Sequence, residues 1–437
     1  MTYEGRRFFG TESFEEKTRK YTRPHPVVTK HLQNLQNGFQ VTNTWRNISS
    51  VNVPSLTLTP TPKGDTQLNI SFEKRKRDFS KVTQKTNVNL SGKRQHLDNA
   101  KIQSESSKTV EWKNSEYQKL SSEILDYFAS HQQSAELLSK KICLRSALLS
   151  VFRKQFPTCS LHLVGSSCNG FATNNSDADF CLMLTHTRQV DQRSEACWYL
   201  KEIQKLLRYM SCIRNIQFIR AKVPILKFKD TVSGCDCDIN TNNSIGIRNT
   251  HLLRTYSKID DRVRPLIMAV KHWAKSRSIN DASQGTLSSY SLVMMVIHYL
   301  QSYCCPPVLT PIQQEYPQYF SLDRNVDDLP MFEPALLIPC NCSKNKQSHG
   351  ELLFGFFKYY SLEFKWDEMV ISVRLGQATP RSSNAIWNDA YICIEEPFDR
   401  TNTARAVHEY SKFKFIQSEF KRAYDKLLVN LTLKNLL

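Results

Sequence analysis

An α+β fold is what this 437-residue sequence predicts. Two short apolar runs, Leu161–Val164 and Phe180–Leu184, bracket the dipeptide Gly165-Ser166 and the triplet Asp177-Ala178-Asp179. Two further strand-like runs follow, Val223–Phe228 and Cys235–Asn240, joined by the polar turn Lys229–Gly234. From Leu252 onward apolar residues recur instead at helical spacing. Strands gathered in one stretch and helices in the next define the class.

The elements are justified in order along the chain. Residues 1–113 are rich in Thr, Ser, Asn, Gln and Lys without a sustained period, and they carry 20 Lys+Arg against 10 Asp+Glu. Such a stretch buries too little apolar surface to offset its conformational entropy, so it is expected to be a disordered basic region. Its tetrad Lys74-Arg75-Lys76-Arg77 suits nuclear import, phosphate contact or simple solvation. Helical spacing begins after Ser115, with Tyr117, Leu120, Ile124 and Phe128, then Leu137, Leu138, Ile142, Leu148 and Phe152. The strand-rich part extends to about Thr250. Helices are expected over Arg254–Ser276 and Thr286–Ser302, the second closed by the prolines of Cys304–Pro311. Residues 303–350 form a long irregular connection, and Leu352–Phe364 and Glu409–Leu428 are the last helices. The division is therefore 1–113, a sheet-bearing domain over 114–253 and a helical domain over 254–437.

The chemistry lies in the strand-rich part. Period-two alternation puts the carboxylates of Asp177 and Asp179 on one face, where they can share divalent metals. The turn at Gly165 and Ser166, with Ser167–Gly170 starting a short helix, offers N–H groups and a hydroxyl to a phosphate. An Asp-x-Asp pair in a hairpin is commonly no more than surface polarity. The Gly-Ser turn ten residues earlier changes that balance toward nucleotidyl transfer. A third acid would come from the later strand, where Asp236 and Asp238 share a face and alternation cannot choose between them. In the helical part Lys271 and Lys275 stand four apart on one helix face and could both reach a triphosphate. Ser289-Tyr290 offers a hydroxyl for phosphate and a ring for stacking on a base.

The net charge of +18 suits a polyanion-binding protein. No window approaches 18 uncharged apolar residues, and the N-terminal ten residues have no apolar core, so neither a membrane span nor a secretory signal is expected. The thirteen cysteines should be reduced thiols. Cys235/Cys237, Cys304/Cys305 and Cys340/Cys342 with His349 lack a paired zinc frame, and no ligand role is expected of them.

The Gly-Ser and Asp-x-Asp pattern resembles the nucleotidyltransferase superfamily typified by DNA polymerase β. The stretches 247–256, 263–275, 279–301, 350–360 and 391–405 sharpen this, being similar to the template-independent RNA nucleotidyltransferases and, within them, the cytoplasmic poly(A) polymerases of the germline-development type. The resemblance covers roughly 115–430. It implies a palm with a mixed β-sheet and a mostly helical central domain, with the nucleotide in the cleft between them. Asp238, directly before Ile239 and an Asn-rich turn, is then the third acid. Asp177, Asp179 and Asp238 would bind two Mg²⁺ or Mn²⁺ ions and catalyse AMP transfer from ATP to an RNA 3′ end. Gly165, Ser166, Lys271, Lys275 and Ser289 would hold the triphosphate, Asn249 the ribose and Tyr290 the base. Where uridylyltransferases carry a longer segment with a base-reading histidine, this chain has Thr401-Asn402-Thr403, which favours ATP over uridylylation or mixed addition. A catalytically silent RNA–protein scaffold would need a lost acid, and none is lost. No RNA-binding module is legible, so a separate RNA-binding protein is expected to choose the transcript. The expected address is the cytoplasm, with the nucleus open through the basic tetrad.

Overall fold

The computed structural model describes residues 114–184, 192–221, 223–331 and 344–437. The expected disorder of 1–113, the basic tetrad and the Cys340/Cys342 pair lie outside the described residues.

Residues 114–131 are helical (α1), and helix α2, Ala135–Phe152, follows with Ser134 as its N-cap, the hydroxyl accepting from Leu137 N–H at 3.1 Å. The sheet is built from β1 (Ser160–Val164), β2 (Ala178–Met183), β3 (Ile213–Ile219), β4 (Ile225–Asp230) and β5 (Asp236–Thr241). Helix α3, Ser166–Asn169, separates β1 from β2, and α4, Gln192–Arg208, separates β2 from β3. The strand order is β1-β2-β5-β4-β3; β2 and β5 run parallel while every other pair is antiparallel. The expected mixed sheet is present. Sequence pattern had passed over α4 and β3. Strand β3 is a sheet edge whose Arg214, Asn215 and Gln217 face solvent, so it shows no apolar run.

The single helix expected over Arg254–Ser276 is two helices, α5 (Ser244–Ile259) and α6 (Val263–Ser276). Pro265 has no N–H and its ring clashes with the carbonyl four residues earlier, so a continuous helix could not pass through it. Asp260 closes the break, its carboxylate accepting from Arg262 N–H and from the guanidinium at 2.7–2.9 Å. Helix α5 also starts before Thr250, so Asn249 rides on a helix. The Asn-rich turn ahead of it has a clear purpose. Asn242 sits at φ +52 and receives Leu184 N–H on its side chain, and Asn243 caps α5 by accepting from Gly246 N–H at 3.1 Å.

The helical part packs α6, α7 (Ser289–Ser302), α8 (His349–Lys358) and α9 (Tyr410–Val429) around one aromatic core. Trp273 lies edge-on to Phe357 at 4.6 Å and to Phe420 at 4.9 Å, spacings at which aromatic pairs are favourable. Helix α8 is followed by a π-helical turn, Tyr359–Glu363, which is why its apolar pattern read on to Phe364. The described part of the 303–350 connection is irregular as expected, yet Val308, Leu309, Ile312 and Phe320 from it enter the core. A small hairpin, β6 (Met369–Ser372) with β7 (Gln377–Pro380), was not anticipated. Among the described residues no helix is long and apolar enough to cross a membrane, and the cysteines are free thiols.

Candidate active site

Parallel pairing of β2 with β5 sets Asp179 directly opposite Asp238, and Cys237 opposite Ala178. Register thus separates two residues that alternation could not. Asp238 faces Asp179, while Asp236 sits at the strand start, largely exposed and 4.0 Å from Lys229. Asp177 precedes β2 by one residue and its side chain is exposed. Burial, then the Asp238 and Asp177 charges, pushes the Asp179 carboxyl up to about 7. Asp177 is raised as well, by partial desolvation and then by Asp238. Three carboxylates so close repel one another, and Lys227 supplies the counter-charge by donating to both oxygens of Asp238 at 2.9 and 2.8 Å. Among the described residues no trio of His, Cys, Asp or Glu forms a ready-made metal cage. The expected three-acid ligand set is therefore brought together by fold but not closed: Lys227 takes the Asp238 oxygens that a hard cation would use.

Gly165 explains the turn. Its φ is +68, and a Cβ there would lie 2.5 Å from Asp179 Oδ2. Its N–H donates to Thr250 Oγ1 at 2.9 Å, which ties the turn to α5. Ser166 follows at the first position of α3, partly exposed.

Sequence reasoning missed Lys141. It lies on the inward face of α2, fully buried, and its ammonium donates to Gln133 Oε1 (2.9 Å), Ser167 Oγ (2.9 Å), Ser176 O (2.7 Å) and Asp177 O (3.2 Å). Burial lowers its pKa against the pull of Cys235, Asp179 and Asp177. One cation thereby clamps the Gly-Ser turn to the segment bearing the first acid. A signal existed: Lys141 occupies the apolar stripe of Leu137, Leu144 and Leu148, where a solvated lysine would not be placed.

The other expected residues lie on the helical side. Lys271 on α6 donates to Phe171 O at 2.9 Å, and burial brings its ammonium down to about 8 although Asp179 opposes the change. Lys275, one turn on, is exposed. Ser289 starts α7 and gives its hydroxyl to Asn280 Oδ1 at 3.0 Å. Tyr290 donates to Glu396 Oε1 at 3.2 Å, and Glu396 also bonds the Asn249 side chain. Asn249 Oδ1 is buried with no hydrogen-bond partner. The turn after Glu396 is held by Asn402, whose amide donates to Ile392 O (2.8 Å) and accepts from Ile394 and Ala404 N–H. Glu395, next to Glu396, is buried between Ser372 and Arg374.

A five-stranded mixed sheet with paired acids on its central strands, followed by a helical domain, is a nucleotidyltransferase palm with its associated domain. Comparison with known proteins agrees. Residues 120–258 match the central palm domain of mitochondrial-like poly(A) RNA polymerases, and 348–402 match the Cid1 family poly A polymerase domain. The chain is 50% identical over 311 residues to poly(A) RNA polymerase GLD2-A of Xenopus laevis, covering 71% of this chain and 60% of that one. Against GLD2 of Homo sapiens the identity is 47% over 320 residues, covering 71% and 64%. The chain thus spans about three fifths of the length of the curated relatives it matches. A solved GLD-2/RNP-8 complex superposes with TM-score 0.66 at 39% identity, covering 73% of this chain and 98% of that one. A histidine-to-asparagine mutant of the Cid1 poly(U) polymerase bound to MgATP superposes with TM-score 0.59 at 29% identity, covering 71% and 94%. This chain belongs to the GLD2-type poly(A) RNA polymerase family.

Proposed function

We propose that the protein adds AMP from ATP to RNA 3′ ends without a template. The observation that carries this reading is the register of Asp179 against Asp238, with Gly165 pressed against Asp179. Asp177, Asp179 and Asp238 would hold divalent cations, Mg²⁺ or Mn²⁺, and the hard-oxygen donor set with two raised carboxyls fits such ions. Bound there, they would supply charge neutralisation and an activated 3′-hydroxyl. The chain's own groups do the rest. Ser166 and the N–H groups of its turn orient the triphosphate, and Lys271 and Lys275 balance charge on the departing pyrophosphate. Ser289 becomes a phosphate contact by giving up Asn280. Asn249 would accept from a ribose hydroxyl, a reading supported by its buried, unpartnered Oδ1. Tyr290 stacks on the base, with Glu396 fixing its ring through the hydroxyl.

Adenine over uracil is supported by the turn Thr401–Thr403, which carries no histidine and spends its one amide on closing itself. The competing reading, uridylylation, rests on likeness to Cid1. Extension of one RNA primer with all four nucleotides in competition tests both: adenylate tails support the reading, uridylate tails replace it. A separate RNA-binding partner is supported by solved complexes of GLD-2 with RNP-8 and with GLD-3.

A further inference from the structure

Behind the Gly-Ser turn lies a cavity of about 150 Å³ lined by Ser167, Ser257, Arg254, Lys258 and Arg264 among others, with no carboxylate in its wall. Arg254 and Lys258 stand four apart on α5, a spacing at which like charges repel, and Arg264 joins them from the start of α6. The two arginines have structural work to do. Arg254 donates to Cys168 O at 3.1 Å and Arg264 to Gly170 O at 3.2 Å, holding the far end of the turn that begins at Gly165, and Arg264 also lies over the Phe128 ring. That accounts for two cations and not for the third. Lys258, solvent-exposed at the rim of the cavity, makes no hydrogen bond or ion pair among the described residues. A lysine in the last turn of α5 suits the helix dipole, but Arg254 and Arg264 already crowd the same space.

The nearby acids do not relieve the crowding. Asp260 is consumed by Arg262 at 2.7 Å, and Asp261, close enough to act on Lys258 and Arg264, is exposed and outside the cavity wall. All three cations are accordingly held below their ordinary pKa, first by burial, and Lys258 further by Arg264 and Arg254.

We infer that this cavity binds one phosphate group, held by Arg254, Lys258 and Arg264 with the Ser257 hydroxyl beside it. Its volume admits a phosphate and excludes a nucleotide. The source is either free inorganic phosphate or one phosphodiester of an RNA backbone. Occupancy would neutralise the cluster and brace the carbonyls of Cys168 and Gly170, stiffening the turn from its back.

The test is thermal melting of the full chain in sodium phosphate against sodium chloride at matched ionic strength, for wild type, Lys258→Ala, Lys258→Glu and Lys275→Ala. Phosphate should raise the melting temperature of wild type and of Lys275→Ala by about 2–4 °C at tens of millimolar. Lys258→Ala should lose most of that response. Lys258→Glu should melt higher than wild type in chloride and not respond to phosphate, because the introduced carboxylate neutralises the cluster itself. Binding of a 3′-blocked single-stranded RNA of about ten nucleotides separates the sources: an RNA phosphate in the cavity predicts that Lys258→Ala reduces the salt slope by about 1. An unchanged slope in Lys258→Ala, with its phosphate response lost, assigns the site to free phosphate. An unresponsive wild type, or a Lys258→Ala response equal to that of wild type, overturns the inference.

Discussion

The two ends of the candidate cleft are built on opposite principles. At the carboxylate end, like charges are forced together: Asp179 faces Asp238, Asp179 is raised to about 7, and relief comes from a buried Lys141 and from Lys227. At the base end, Tyr290, Glu396 and Asn402 are satisfied within the chain, and Asn249 keeps one oxygen without a partner. The first end is under electrostatic tension that a cation would relieve; the second is a finished mould. Substitutions at the first should therefore change chemistry more than fold, and substitutions at the second should change selectivity more than rate.

The sharpest way to break this contrast is Asp179→Ala or Asp238→Ala. Each should lower tail addition by about 10³-fold or more, since each removes a proposed ligand of the cation, while circular dichroism stays native. Asp236→Ala should remain near wild type in the same primer-extension assay; a dead Asp236 variant beside an active Asp238 one would move the third acid. Next in size is Gly165→Ala. A methyl group at φ +68, aimed at Asp179 Oδ2, should cost roughly 1–3 kcal/mol in thermal melts and about 10²-fold in rate, and an active variant would show that the turn can yield.

At the base end, inserting a histidine beside Asn402 should lower the ATP-to-UTP ratio of kcat/KM by roughly 10-fold, the scale of one pocket contact. Both nucleotides would be measured on one primer; an unchanged ratio in an active variant removes this turn from base reading. Tyr290→Phe is gentler, losing one hydrogen bond to Glu396, and should raise KM for ATP a few-fold with kcat kept.

The smallest effect is on stability against pH. A carboxyl raised in the folded state is protonated there while its unfolded counterpart is already ionised, so between about pH 4 and 7 the unfolded chain binds fewer protons and stability falls as pH rises. Above 7 the loss is complete. In metal-free buffer Asp179→Asn should flatten that decline and melt slightly higher at pH 7.5. An identical profile for both proteins would mean that Asp179 is not under tension.

The contrast also marks what could be read from residues alone. Asp177, Asp179 and the Gly-Ser turn were legible because they are local: alternation and turn chemistry act within a few residues. The choice of Asp238 over Asp236 was not, since it depends on which residue of β5 lies opposite Asp179, and register between distant strands leaves no mark in either strand. Lys141 was masked for the opposite reason, being a polar residue in an apolar stripe whose partners, two backbone carbonyls and the side chains of Gln133 and Ser167, all lie outside its helix. The α5–α6 break was written in Pro265, but a pattern of apolar spacing runs straight across it. Strand β3, polar on an open edge, had no period to find.

The central place of β5 also governs when the site can exist. A chain emerging from the ribosome can close the β1–β2 hairpin early, since that contact is short in sequence, and display Asp177 and Asp179. It cannot set Asp238 against Asp179 until β5 has been made and threaded between β2 and β4, and Thr250 must follow before Gly165 is clamped. The competent centre is thus among the last features of the sheet to form. A chain that has not yet made β5 therefore holds Asp177 and Asp179 without the residue that lies opposite Asp179 in the finished sheet.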